Sequence, residues 1–486
     1  MQNITSIAAS IGLDVSYPFS LERITLQTPS GPSGKADVSI STPSGSTTFA
    51  KSFQYLQSVQ SHAKPALFKF LLYDQKRQRI YLTNIDHIDV FDLQQNIFLA
   101  PLQPPGGPPP NAGLRGLALT PDSGQIVVAD FGAQSVYLLD PVLGTGTTVP
   151  VGGVPAFTNS GPARVAATST QTVFVGLSGE GGSTGACSAC LAQMNLTVSP
   201  PTIQPAPQPE VASIMGAPLV QGTAAGDRVF VAFGTSSSGP VAVWNASAPN
   251  QFVTSLANAS ATDLGASSDG SMFAFHSNGA DEIRAADLSL TSVPTSAELE
   301  QIPGRVLVPG VALHPSGALL YQPFLTGAPG SAGVKGGIDI LDAHSGALRL
   351  RIFLPQQFMT DIDGLHGSFL TTDENGQRLF AITSSDGTPQ NAALTIIQLA
   401  AVPLGIGTIA PATVSAAAGA TLTIRGSGFQ SGATASINGN LPAPHSRTST
   451  LFLSSFPPLP PALSKSPSQI PTANPSGSTL HSPPTK

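Results

Sequence analysis

The sequence predicts an all-β protein in which similar antiparallel meanders repeat and close on one another. Three observations predict it. Charged residues are only 10% of the 486-residue chain, against roughly a quarter in ordinary soluble domains, so its surface must be Ser, Thr, Gly and Asn instead of ionic. Gly (49) and Pro (45) are abundant while hydrophobic content stays at 41%, a combination that fits many short strands joined by turns. A strand–turn–strand pattern also recurs along most of the chain, and self-similarity at a fixed spacing decides the fold before any single element does.

The clearest copy is 114–140, LRGLALTPDSGQIVVADFGAQSVYLLD. It reads as a small-apolar strand, a Pro-Asp-Ser-Gly turn, an alternating strand, a second turn and a third strand ending in Asp140. The pattern returns at 67–93, 165–177, 222–245, 264–288, 311–346 and 367–399, which makes seven copies. Their spacing matches one four-stranded propeller blade of about 40–50 residues, with insertions lengthening some copies. One meander has two apolar faces and cannot bury them alone; stacking blades radially covers both. The fold class is therefore a seven-bladed β-propeller over 58–402. The last copy shows three strands, 367–372, 378–383 and 393–399, so the missing outer strand is expected from 57–62, clasping the two ends of the ring together.

These repeats resemble the YVTN/NHL-type β-propellers of bacteria, through LALTPDSGQIVVADFGAQSVYLLD and VALHPSGALLYQPF…GGIDILDAHSG. That resemblance implies a fold and leaves function open, since such rings serve as scaffolds, adhesins, lyases and lactonases. A second resemblance lies on each flank. GIGTIAPATVSAAAGATLTIRGSGFQSGATASING (405–439) resembles the first half of an IPT/TIG domain, an immunoglobulin-like sandwich, through its Ile-Ala-Pro opening, Gly419 and TLTIRGSGF. LERITLQTPSGPSGKADVSISTPSGSTTFAKSFQYL (21–56) resembles the second half. The expected organisation is thus a partial IPT/TIG-like segment over 1–57, the propeller over 58–402, a second partial segment over 403–440 and a tail over 441–486. Those last 46 residues hold 11 Pro, 10 Ser and no Asp or Glu, a composition that cannot bury enough surface to offset its ordering entropy, so disorder is expected from 441. The switch in mid-domain also raises the expectation of a broken or truncated reading frame.

Charge and cysteine content exclude several functions. The net charge of −6 comes with no basic cluster, which argues against nucleic acid or an anionic membrane surface. No apolar run reaches the ~18 residues of a spanning helix, and the first fifteen residues lack the basic start of a signal peptide. The charge-poor, Cys-poor, Ser/Thr-rich composition nevertheless resembles that of exported bacterial proteins, so an extracytoplasmic location is expected. Sequons start at Asn3, Asn195, Asn245 and Asn258 and matter only in a glycosylating secretory pathway.

Candidate chemistry is sparse. Cys187 and Cys190 form a Cys-x-x-Cys pair in a Gly/Ser-rich stretch without the βαβ context of a redox motif; an inert loop pair, a local disulfide, adventitious metal binding and redox chemistry all stay open. Asp361 and Asp363 are the densest potential ligands and suit a hard cation through oxygen, although the segment lacks the carboxylates of a calcium loop. Arg115, Arg164 and His366 precede or open innermost strands and are the candidates for a catalytic group at the channel. His314 falls in a turn that other copies fill with Pro121-Asp122 or Ser268-Asp269. No nucleophile elbow, phosphate loop or zinc helix is present, and no cofactor is expected. The favoured function is a non-enzymatic scaffold that meets a protein or glycan partner at the cell surface; the alternative is a lactonase-like hydrolase or lyase working at the channel. The sequence leaves oligomeric state open.

Overall fold

The computed structural model describes residues 34–42, 45–55, 58–151, 160–179, 191–207, 218–233, 239–257, 261–277, 280–293, 304–308, 310–359, 368–399, 405–410, 422–427, 443–447 and 450–454. The chain divides into two compact units, Met1–Gln57 and Ser58–Lys486. In the first, β1 (Gly34–Thr42) and β2 (Gly45–Tyr55) form an antiparallel ribbon with a bulge between Ala36 and Val38.

The second unit opens with β3 (Ser58–Ala63) and continues into blade 1, β4 (Leu71–Asp74), β5 (Arg79–Thr83), β6 (Ile88–Asp92) and β7 (Ile97–Phe98). Blade 2 is β8 (Leu114–Leu119), β9 (Ile126–Asp130), β10 (Ser135–Leu139) and β11 (Gly146–Pro150); blade 3 is β12 (Ser160–Ala167), β13 (Thr172–Gly179), β14 (Leu191–Asn195) and β15 (Thr202–Pro205). Blade 4 is β16 (Pro218–Gly222), β17 (Arg228–Phe233), β18 (Gly239–Asn245) and β19 (Phe252–Ala257); blade 5 is β20 (Ala261–Ala266), β21 (Met272–Ser277), β22 (Ala280–Ala285) and β23 (Leu290–Ser292). Blade 6 splits its inner strand into β24 (Val306–Leu307) and β25 (Ala312–Leu313), then adds β26 (Leu319–Leu325), β27 (Gly336–Asp342) and β28 (Leu348–Phe353). Blade 7 does likewise with β29 (Gln357–Phe358) and β30 (Leu370–Thr372), followed by β31 (Arg378–Ser384) and β32 (Ala392–Gln398).

Every neighbouring pair within a blade is antiparallel and consecutive, except that the split inner strands let β24 pair with β26 and β29 with β31, and that β32 takes β3 as its outer partner, in register from Ser58↔Gln398 to Ala63↔Ala393. The clasp expected from 57–62 is therefore present, one residue on. The hydroxyls of Ser61 and Thr395 lie 2.8 Å apart across this pair, and Thr395 continues to Thr383 on β31 at 2.7 Å. The seam closes a second time through a parallel bridge between Phe70 and Ser368, and again where Arg378 donates to the Tyr73 hydroxyl at 3.2 Å.

Period-two alternation explains why blades stack. On β9, Ile126 and Val128 pack against Tyr81, Ile88 and Val90 of blade 1, whereas Val127 and Ala129 pack against Val165, Val173 and Val175 of blade 3. On β17, Val229 and Val231 face Phe174 of blade 3, while Phe230 and Ala232 face Phe273 and Phe275 of blade 5. The core is thus a circle of inter-blade layers, which is what alternation with both faces apolar requires.

The turn between the first two long strands repeats seven times with one geometry. The N–H of its fourth residue donates to the C=O of its first: Gln78 to Gln75, Ser123 to Thr120, Gln171 to Thr168, Gly226 to Thr223, Gly270 to Ser267, Gly317 to His314 and Gly376 to Asp373. The fourth residue always has positive φ, from 51° at Gln78 to 71° at Gly317. His314 accordingly opens its turn, the place of Thr120 and Ser267 in other copies and one residue before the Pro121-Asp122 and Ser268-Asp269 positions, with Nδ1 2.8 Å from the Ser316 hydroxyl. The turns also interlock: Arg228 donates to the Gly270 carbonyl at 2.6 Å, and a Cβ at Gly226 would lie 2.5 Å from both Pro121 Cγ and the Ser169 nitrogen.

After the ring come β33 (Gly405–Ala410), β34 (Leu422–Ser427), β35 (Ala443–Arg447) and β36 (Thr450–Ser454), one sheet in the order β33-β34-β36-β35. This corrects the expectation of disorder from 441 over its first part. Ala443–Arg447 and Thr450–Ser454 pair as a hairpin, and Leu422–Arg425 pairs with Thr450–Leu453. The composition averaged over the tail conceals TLFLS, a strand-length alternating segment whose backbone groups are met by β34 and β35. The tail beyond Ser454 lies outside the described residues. Among the described residues the one helical element is a short 3₁₀ turn, Pro389–Asn391, and no helix is long and apolar enough to cross a membrane.

Candidate functional site

The innermost strands of all seven blades surround a channel of about 390 Å³ whose described walls include Leu72, Leu117, Val165, Gly222, Gly265, Leu313 and Leu370. Small residues permit this convergence: a Cβ at Gly116 would come within 2.8 Å of the Arg164 Cα on the next blade, and one at Gly265 within 2.5 Å of the Val311 carbonyl oxygen. Lys76, Thr120, Ser123, Thr223 and Glu374 of the first turns stand around the channel at one end. Burial, and then the neighbouring Asp373 carboxylate, push the Glu374 carboxyl above its ordinary value.

A layer of side chains crosses the channel nearer the other end. Arg164 lies with its guanidinium 4.5 Å from the centre of the Phe70 ring and 3.5 Å from Asp263 Oδ1. These residues belong to blade 3, the segment leading into blade 1, and blade 5, so the contacts span the ring and skip blade 4. Asp263 also accepts the backbone N–H groups of Gly310 and Val311 from blade 6. It is 1% exposed. Burial raises its carboxyl above the ordinary value, against which the Arg164 charge and the backbone donors act.

Local backbone irregularity aims these groups. The pairing register shifts between Leu114 and Leu117, between Pro162 and Arg164, and between Ala261 and Asp263, which places Arg115, Arg164 and Asp263 at β-bulges near the start of three inner strands. A bulge bends its strand and redirects a side chain, and it recurs beside functional positions. Arg115 is buried, with its guanidinium 5.4 Å from the centre of the Phe131 ring in its own blade.

Of the candidates read from the sequence, Arg115 and Arg164 are thus placed, with different described partners. Asp361, Asp363, His366, Cys187 and Cys190 lie outside the described residues. Among the described residues no group of three or more His, Cys, Asp or Glu side chains is placed to hold a metal ion. Sequence reasoning missed Asp263, although the signal was available: counting back four or five residues from the first turns of blades 1, 3, 5 and 6 gives Phe70, Arg164, Asp263 and Gly310, the positions of the crossing layer, and the same count in blade 2 gives Arg115.

A second buried polar chain joins blades 5 and 6. His276 Nδ1 is 2.8 Å from Asp281, whose other oxygen accepts from Gln322. The Gln322 carbonyl accepts from Arg305 at 2.6 Å, and Arg305 and Arg351 both donate to Asp339, at 2.8 and 2.6 Å. Both guanidiniums also lie over Phe324, at 5.0 and 5.5 Å. Burial pulls the His276 imidazole down, but the hydrogen bond and charge of Asp281 outweigh it and the net shift is upward. Such connected ionic chains fix the mutual placement of the elements they join.

Comparison with known proteins agrees with this architecture. Residues 404–481 match the IPT/TIG domain family. That match continues past Asn440, where the sequence places the end of the IPT/TIG-like segment, and does not include 21–56. No curated protein matches the sequence. Among solved structures, the chain is similar to the β-propeller domain of Cps50 (Swd1) from Myceliophteria thermophila, with a TM-score of 0.50 at 12% identity, covering 70% of this chain and 100% of that one. It is similar to the RRP9 WD40 repeats to the same degree, with a TM-score of 0.50 at 10% identity, covering 70% of this chain and 97% of that one. At such identity the likeness concerns the fold of the seven-bladed β-propeller alone; the IPT/TIG domain that follows it rests on the family match.

Proposed function

We propose that the protein is a non-enzymatic scaffold of the YVTN/NHL type, exported to the cell surface, where its ring presents loops to a protein or carbohydrate partner. The observation that carries this reading is the asymmetry of the two ends of the ring. At one end the connections are tight and interlocked, as at 75–78, 168–171 and 93–96; at the other, the described connections include the long segments 99–113 and 326–335. A rigid frame with long connections gathered at one end suits display, since binding residues concentrate on loops held by a scaffold. The appended IPT/TIG domain is consistent with an interaction role. The low charge favours contacts made by hydroxyl, amide and backbone groups, which match a sugar or a neutral peptide surface.

Two measurements on the full chain test this. Protease shaving of intact producing cells should release peptides from 99–113 and 326–335, and a glycan and surface-protein array should show saturable binding. Retention of the whole product in the cytosol, or turnover of a lactone panel by the purified chain without any array binding, would overturn it.

A further inference from the structure

We propose that β3 is a strap that peels open when tension is applied to the ring through the segments flanking it. The chain enters the ring at Ser58, whose register partner is Gln398, the last residue of β32. It leaves one residue later at Leu399, whose N–H donates to the Gln377 carbonyl at 2.8 Å. Both tethers therefore attach at the same end of one antiparallel pair. Pulling them apart loads the β3–β32 hydrogen bonds one after another from that end, in contrast to a sheared pair, whose bonds share the load.

The strap is lightly held where the load arrives and firmly held where it ends. Val59 is half-buried, and Gln60 and Ser61 are exposed. Past the Ser61–Thr395 hydroxyl contact the grip strengthens. The His62 ring lies 4.5 Å from that of Phe91, the Lys64 ammonium pairs with Asp89 and sits 4.7 Å over Phe98, and its N–H donates to Ala392 at 2.9 Å. Ala66 adds a bond to Pro389 at 3.0 Å. Peeling from Ser58 consequently halts near Lys64 and leaves the seven inner sheets in place. It uncovers the edge of β32, where Leu394, Ile396 and Gln398 would then offer unpaired backbone to another strand, as exposed edges do.

An optical trap holding the full chain by its two ends tests the proposal, with Cys187 and Cys190 replaced by Ser. β3 has 6 residues. A reversible lengthening on the order of 4 nm is expected at a force below that of ring unfolding, about 2 nm from the freed strand at ~3.4 Å per residue and about 2 nm more as the ring turns to bring the length of β32 into line with the force. Adding Ser61→Cys and Thr395→Cys should cut this step to about half under oxidising conditions, since Ser58–Gln60 alone stay free to peel, and restore its full length on reduction in the same molecule. The later unfolding of the ring in both states shows that the variant folds. Absence of any step before the ring unfolds, or a step that the crosslink leaves unchanged, would overturn the proposal.

Discussion

Replacing Arg164 by Met probes the layer that crosses the channel. The substitution keeps the length that packs on Phe70 and removes the charge 3.5 Å from Asp263. What remains is a carboxylate 1% exposed, held by two backbone N–H groups from blade 6. Breaking a buried pair by removing one partner costs about 3–5 kcal/mol, and the two surviving donors place this case near 3 kcal/mol. That corresponds to a shift on the order of a hundredfold in the folding equilibrium. The loss depends on pH with a definite sign. Burial raises the folded-state value of Asp263 above its unfolded one, so the penalty is absent below the unfolded value and grows as pH rises through the folded one. Arg164 opposes that rise, and its removal lets it increase. The deficit of Arg164→Met should therefore be largest at about pH 7 and contract toward about pH 4.5 as Asp263 takes up a proton. Trp244, the single tryptophan, is 1% exposed and donates to the Pro249 carbonyl at 2.9 Å, so its fluorescence reports urea unfolding. The double variant Arg164→Met/Asp263→Asn, with no buried charge left and an amide oxygen still accepting from Gly310 and Val311, should regain most of the loss. A deficit under about 1 kcal/mol at neutral pH, or one that acid leaves unchanged, would refute the reasoning.

Three further outcomes are expected. Gly226→Ala adds a Cβ 2.5 Å from Pro121 Cγ and the Ser169 nitrogen at a residue with φ of +66°, and should cost about 1–3 kcal/mol, measured as a lower Tm. Six tyrosines are present, of which burial pushes Tyr81 up to about 12 and holds Tyr137 and Tyr321 above their ordinary values, so spectrophotometric titration to about pH 11 should leave these three protonated until the fold is lost. His276→Gln should destabilise more at about pH 5.5 than at about pH 8.5: a raised histidine contributes fully below its unfolded value and loses that contribution as pH rises through the folded one. Equal losses at the two pH values, read by urea unfolding, would contradict the Asp281 pairing.

The repeats were legible because the physics that stacks blades writes itself in the alternation: Ile126 and Val128 must face one neighbour, Val127 and Ala129 the other. The clasp was legible from a missing fourth strand. The IPT/TIG continuation was not, because Thr450–Ser454 is a short alternating segment within a Pro/Ser-rich background, and composition averages it away. The crossing layer was half legible. Arg164 is visible as a charge opening an inner strand, but its partner is about a hundred positions on, in a blade two further around the ring, and only aligning the copies on their first turns brings Asp263 beside it. The blade 5–6 chain from His276 to Arg351 carried no sequence signal, since its members sit at unrelated positions of five strands and a connection, and converge through pairing register.

Closure of the ring by β3 is tested most directly by peptide mapping of a Ser61→Cys/Thr395→Cys chain (with Cys187 and Cys190 replaced by Ser) oxidised under native conditions. The register Ser61↔Thr395 and the 2.8 Å contact of the native hydroxyls predict an intramolecular disulfide joining peptides from 58–63 and 392–398 in monomeric protein. Free thiols at both positions, or a crosslink found only between chains, would contradict it.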